Sequence, residues 1–189
     1  MKVAFVVFDR MTSLDFIGFY DPVTRLKSMK IMDDLAWRIC STTQSVVDDR
    51  GLRIEANMVA EPLDSYDMVF VPGGFGTRTL QNNRAFVDWL KTATPAQLKV
   101  SVCTGALLLG AAGFLRGRRA TTHPSAYKEL EPYCGSVVQD RVVDEGDIIT
   151  AGGGSAAIDV GLHIVQKLAG AEARVRISAQ IDYPYRWNS

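Results

Sequence analysis

Net charge is absent from this chain: 21 lysines and arginines balance 21 aspartates and glutamates. A balanced protein exerts no general pull on nucleic acid or on an acidic membrane surface, so neither partner is expected. The single basic cluster, Arg116, Arg118 and Arg119, is short and has no interleaved aromatics, and it reads as a solvated turn. Long hydrophobic runs are missing too. The longest, residues 106–115, falls well short of a bilayer span and contains two glycines. The apolar N-terminal stretch meets Asp9 and Arg10 too early to act as a secretory core, and no small-residue cleavage site follows it. Cysteine is scarce: three, an odd number at unrelated spacings, give no disulfide framework and suit a reducing cytoplasm. Histidine is scarcer still, at two, and no His, Cys or carboxylate group has zinc-ligand spacing. The stretches Gly73-Gly74-Phe75-Gly76 and Gly152-Gly153-Gly154-Ser155 fit neither a phosphate-loop nor a dinucleotide fingerprint. No metal and no cofactor is expected.

What is present is a regular alternation of apolar strand-like runs and helical stretches. It extends along 189 residues, 47% of them hydrophobic, enough for one domain (1–189) with a substantial core. Residues 3–8, 36–41, 67–71 and 100–103 read as strands, with helices over 16–29 and 85–93 between them. Pro22 is expected in an early turn of the first helix, where its missing N–H costs nothing. Residues 46–54 read as a small hairpin outside the main sheet, turned by Asp48-Asp49-Arg50-Gly51. Further on, strand-like residues 119–122 precede a helix over 125–133. Val137-Val138 is then expected to pair with Val142-Val143, and a strand follows at 148–150. Helices over 156–168 and 171–181 close the pattern, and residues 183–189 form an aromatic tail that docks on the body or on a partner subunit. Such βαβ order predicts an α/β fold, a mostly parallel sheet with helices on both faces.

In sheets of this kind, sites form beyond the carboxyl ends of the strands. Three segments fall there: the loop 9–15, Pro72-Gly73-Gly74-Phe75-Gly76, and the turn around Cys103. Ser101-Val102-Cys103-Thr104-Gly105 puts a cysteine where an apolar strand must turn abruptly into a helix, between small residues. That is the grammar of a turn that exposes a nucleophile, and a helix N-terminus favours the thiolate. A small buried core residue is the plainer reading of the same segment. Asp15, between the first strand and helix, is either a helix cap or a partly buried carboxyl beside the thiol, its pKa raised by desolvation. His123, in Thr121-Thr122-His123-Pro124, sits at a strand-to-helix boundary within possible reach of Cys103. Cys40, Cys134 and His163 lie in contexts that read as structural.

Pro72-Gly73-Gly74, Val102-Cys103-Thr104-Gly105, the run 113–123 and Thr150-Ala151-Gly152-Gly153-Gly154 together resemble the DJ-1/PfpI superfamily, in order and over essentially the whole chain. The resemblance implies a flavodoxin-like, usually dimeric sandwich with a nucleophilic cysteine in a strained turn. Leu14-Asp15-Phe16-Ile17-Gly18 and the threonine after the cysteine resemble the isonitrile hydratase group. Most of the superfamily carries a glutamate after the first strand, where this chain has Asp15. Carried over, Cys103 is the nucleophile and Asp15 its acid/base partner. Thr104 orients the carboxyl, and backbone at Gly74 and Gly152 lines a pocket that His123 borders. Phe19 departs from the proline usual in the hydratases, as does the placing of Pro22. Peptidase-like members place a histidine after the nucleophile, and amidotransferases need a later His-Pro-Glu; here Thr104 and His123-Pro124-Ser125 stand instead.

The resemblance therefore implies a cytoplasmic, homodimeric, cofactor-free enzyme that adds water to an isonitrile or similar small electrophile, giving an N-substituted formamide. Two alternatives share the residues. One is a redox or stress sensor that oxidises Cys103. The other is a ligand-binding regulatory module, against which the missing helix-turn-helix region weighs.

Overall fold

The structure, a computed structural model, describes residues 1–184; the expected tail lies outside the described residues from position 185 onward. Its first half begins with β1 (Lys2–Val6), α1 (Ser13–Ser28) and β2 (Ala36–Ser41), followed by a hairpin of β3 (Ser45–Val47) and β4 (Arg53–Glu55). Next come β5 (Met58–Val59), β6 (Met68–Val71), α2 (Gly76–Leu80), α3 (Arg84–Lys91) and β7 (Leu98–Val102). The second half holds α4 (Gly105–Ala111), β8 (Arg119–Ala120), α5 (Tyr127–Leu130), β9 (Ser136–Val137), β10 (Val142–Asp144), β11 (Ile148–Ala151) and α6 (Ala156–Gln180).

Strands β6, β7 and β11 are buried along their whole length, as expected of apolar runs covered on both faces. They belong to a seven-stranded sheet in the order β10-β11-β7-β6-β1-β2-β5, in which only the β10–β11 pair is antiparallel. This is the flavodoxin-like, doubly wound arrangement, flanked by helices. The chain runs outward from β1 through β2 to β5 and then returns to β6 on the other side of β1. That reversal opens a crevice at the carboxyl ends of β1 and β6, next to that of β7. Beneath it, Phe5, Phe19 and Phe70 are fully buried, and the rings of Phe19 and Phe70 stack 3.9 Å apart. Phe19 is thus a core residue under the crevice.

Several sequence expectations need correction. Pro22 lies in the middle of α1, not in an early turn, because the helix already starts at Ser13. Packing holds the helix through the proline. Helix α6 crosses α1 there so closely that a Cβ on Gly161 would stand 2.5 Å from Pro22 Cγ. Val137-Val138 does not pair with Val142-Val143: β9 runs parallel to β8, and β10 is antiparallel to β11. The tight turn is made at Gly146, whose φ of 90° suits glycine, whereas residues 139–141 carry no such turn chemistry. The helix expected over 125–133 is only α5, with a 3₁₀ turn on each side. Helix α2 was not anticipated. The two closing helices are there, one run broken at Gly170, where φ is 88°.

Candidate functional site

Cys103 is the first residue beyond β7, and its φ of 54° is left-handed, a strained value for a side chain with a Cβ. The surrounding backbone holds it there. Its N–H donates to the carbonyls of Ala151 (3.0 Å) and Gly152 (2.7 Å), and its own carbonyl accepts from Thr122 Oγ1 at 2.7 Å. The turn folds back onto the loop after β6 at Gly73. A Cβ on Gly73 would lie 2.6 Å from Thr104 N, 2.7 Å from Cys103 Cβ and 2.8 Å from Asp15 Oδ2, so only glycine fits.

Asp15 is in the first turn of α1 but is not its cap; the cap position is Thr12. Its carboxyl turns inward and is fully buried, with Oδ2 accepting from the Gly73 N–H at 3.0 Å and Oδ1 without a hydrogen-bond partner. Burial pushes its pKa up to about 6. The hydrogen-bonded Gly73 amide and the neighbouring Cys103 thiol oppose the rise, and the charge of Asp49 adds to it. On Cys103, burial and then the Asp15 charge push the thiol up to about 12, against hydrogen bonds from the Thr104 amide and hydroxyl. The expectation of a resting thiolate is thereby corrected. Helix α4 is only seven residues long, and the sulfur faces a carboxylate where an activating cation would have to stand.

Thr104 also departs from expectation. Its Oγ1 accepts from the Gly74 N–H (3.0 Å) and bonds the Thr77 hydroxyl (3.0 Å) and the Gly74 carbonyl (3.2 Å). The group that orients the Asp15 carboxyl is the Gly73 amide; Thr104 fixes the glycine loop. Gly74 and Gly152 both border the crevice, yet their N–H groups are spent internally, on Thr104 and on the Arg141 carbonyl. His123 lies against Gly153, where a Cβ would meet its Cδ2 at 2.6 Å. Its Nδ1 bonds Ser125 Oγ (2.8 Å) and caps the 3₁₀ turn that follows. It forms a wall, and no contact ties it to the sulfur.

Other residues fall outside the crevice. Cys40 is buried on β2 with its thiol against Tyr66 Oη, Cys134 faces the Leu130 carbonyl, and His163 pairs with Asp144 at 2.7 Å. Among the described residues, no group of three or more His, Cys, Asp or Glu could hold a metal ion, and no helix is long and apolar enough to cross a membrane. Sequence reasoning missed Thr12, Ser13, Thr77, Asp48 and Asp49. Asp48-Asp49-Arg50-Gly51 has ordinary turn chemistry, so nothing local marked it as part of the site.

A doubly wound sheet with a cysteine on a left-handed turn against a buried carboxyl defines a class, and comparison with known proteins agrees. The profile of the DJ-1/PfpI family matches residues 1–167, and the chain belongs to that family. It is 35% identical over 185 residues to the isonitrile hydratase of Pseudomonas putida, covering 97% of this chain and 78% of that one. It is 29% identical to the HTH-type transcriptional regulator CdhR of Pseudomonas aeruginosa over 93% of this chain, though it spans only 53% of the regulator. Among solved structures, a THiJ/PfpI family protein from Pseudomonas syringae superposes with a TM-score of 0.86 at 27% identity, covering all of this chain and 78% of that one.

Proposed function

We propose that the protein is an isonitrile hydratase-like enzyme in which Cys103 is the nucleophile and Asp15 moves the protons. The observation that carries this reading is a fully buried Asp15 carboxyl brought together with a cysteine on a strained turn at Gly73, where a Cβ would lie 2.8 Å from Asp15 Oδ2 and 2.7 Å from Cys103 Cβ. The reaction is R–N≡C + H₂O → R–NH–CHO. As the sulfur attacks the terminal carbon, Asp15 accepts the thiol proton. It then delivers that proton to the same carbon, giving the thioimidate R–N=CH–S–Cys103. Water adds to this carbon, passing one proton to the Asp15 carboxylate. Asp15 gives that proton to nitrogen, forming R–NH–CH(OH)–S–Cys103; as the C–S bond breaks, the hydroxyl proton passes by way of Asp15 to sulfur, and the formamide and free thiol leave. Splitting one addition into two steps is the contribution of covalent catalysis. A carboxyl with pKa about 6 suits both taking and giving a proton near neutrality. The identity with the Pseudomonas putida hydratase supports the substrate class.

A redox- or stress-sensing role of Cys103 is the alternative that shares the same sulfur, and stoichiometric oxidation without turnover would favour it. The likeness to CdhR supports a ligand-binding module as the second reading. Both are tested by mixing the purified protein with a simple alkyl isonitrile and following formamide by NMR, alongside Cys103→Ala and Asp15→Asn. Turnover in the parent and none in the Cys103 variant is expected. Formamide production undiminished in Cys103→Ala would overturn the mechanism, and binding without turnover in the parent would favour the second reading.

A further inference from the structure

Helix α1 starts without the cap its sequence offers. Thr12 stands at the N-cap position, where a threonine oxygen ordinarily accepts from a first-turn amide, yet its side chain makes no such bond. The hydroxyl turns away and donates to Asp49 Oδ2, in the turn of the β3–β4 hairpin, at 3.1 Å. The Ser13 hydroxyl does the same with Asp48 Oδ2 at 2.6 Å. The backbone makes the same connection, because residues 9–12 run between the hairpin on one side and the glycine loop on the other. The Arg10 N–H donates to the Val47 carbonyl (2.7 Å), and the Arg10 carbonyl accepts from the Gly76 N–H (3.1 Å). Arg10 takes a left-handed φ of 61° to do so, a strained value for a side chain with a Cβ. The Met11 carbonyl accepts from the Asp49 N–H (3.0 Å), and Met11 also pairs with Gly74. Thr12 then closes a ring with the reactive carboxyl. Its N–H donates to the Gly73 carbonyl (2.9 Å), the Gly73 N–H to Asp15 Oδ2 (3.0 Å) and the Asp15 N–H back to the Thr12 carbonyl (3.1 Å).

We propose that the β3–β4 hairpin sets the place of the acid, with Thr12 as the positioning residue: its hydroxyl, held by Asp49, fixes the ring that fastens the Asp15 carboxyl to the glycine loop. The inference deepens the hydratase reading and rests on it for its catalytic meaning, but not for its test. A carboxyl that exchanges protons with a sulfur and a carbon must stay within hydrogen-bond reach of both. A misplacement of about 1 Å can cost on the order of a hundredfold in rate. Asp15 hangs from a loop, and a loop holds such a group poorly unless a further layer supports it. The hairpin is that layer. A Thr12 hydroxyl that served only the helix would face the first-turn amides; this one gives up the capping bond to grip the hairpin.

The test is amide hydrogen exchange in the full chain, followed by NMR, which needs no substrate. Thr12→Val keeps the shape and loses the hydroxyl. The Thr12-position, Gly73 and Asp15 amides of the ring should then exchange about tenfold faster, with the Val100 amide in the core strand β7 unchanged. Thr12→Ser keeps the hydroxyl and should restore the parent rates. Thr24→Val removes a hydroxyl that bonds within α1, to the Tyr20 and Asp21 carbonyls, and should leave the ring as it is. Asp49→Ala breaks the same grip from the other side; it should match Thr12→Val and add nothing to it in the double variant. If Thr12→Val does not fold, Asp49→Ala reads the same amides. Ring amides unchanged in these variants, or quickened no more than Val100, would overturn the proposal. With an alkyl isonitrile, Thr12→Val should lower kcat about tenfold with KM nearly unchanged; a kcat at the parent value despite a loosened ring would also overturn it. If the parent turns over no isonitrile but the ring loosens as stated, the hydratase reading fails and the hairpin's hold on Asp15 stands.

Discussion

Cys40 and Cys103 lie close to the carboxyl ends of two strands of one sheet, and burial raises both thiols, to about 11 and about 12. Their surroundings differ in two ways. Cys40 is within the regular run of β2, and its sulfur meets the Tyr66 hydroxyl at 3.6 Å. Cys103 is just past its strand with a φ of 54°, and its sulfur meets a carboxylate. A raised thiol is therefore no sign of chemistry by itself. What distinguishes Cys103 is a neighbour that can take its proton and a turn that presents the sulfur to the crevice rather than to the sheet.

Exchanging the two sulfurs breaks the comparison most sharply. Cys103→Ala should lower the rate of formamide formation by about 10³-fold or more, because no second nucleophile stands at the carboxyl. Cys40→Ser should leave kcat within about threefold, at a modest loss of melting temperature from a hydroxyl in an apolar strand. Loss of activity in the second variant and not the first would show the wrong sulfur has been chosen.

Asp15→Asn should remove the difference between the two thiols. The rate is expected to fall about a hundredfold or more, and stability should move the other way. The folded carboxyl titrates at about 6 rather than 3.8, so between those values the native state holds a proton that the unfolded chain has released. Native stability therefore falls as pH rises across that window and is flat above it. Near pH 7 the penalty is on the order of 3 kcal/mol, so Asp15→Asn should melt higher there than the parent and about equally at pH 4. Thermal melts at the two pH values check it; a variant less stable at both would contradict the assigned burial cost.

A smaller effect is expected from Thr104→Val, which keeps shape and loses the hydroxyl. The Gly74 N–H then lacks its partner, while the Thr77 hydroxyl keeps the Gly74 carbonyl at 2.8 Å, and the loss costs about 1–3 kcal/mol of stability. The rate should drop about tenfold through a loosened glycine loop, with the Asp15 titration nearly in place. A large displacement of that titration would return Thr104 to the carboxyl-orienting role expected from sequence.

Much of this was legible in residue order. The turn at Cys103 and the approach of Gly73 follow from small residues flanking an apolar strand, and the detached hairpin from Asp48-Asp49-Arg50-Gly51 between valines. What escaped depends on contacts between segments far apart in sequence. Pro22 is tolerated mid-helix because α6 packs on it at Gly161, and the ionisation of Cys103 is set by a carboxyl on another element. Thr104 was misassigned because its nearest acceptor in space is a glycine loop that sequence cannot place.

The central claim is a covalent intermediate on one sulfur next to one carboxyl. It is tested most directly by quenching the protein in acid during its first turnover of an alkyl isonitrile and mapping the modified peptide by mass spectrometry. The account predicts that the peptide containing Cys103 gains the mass of one isonitrile molecule, and that Cys40 and Cys134 stay unmodified. Formamide released with no such adduct at any time, or an adduct carried by another cysteine, would contradict it.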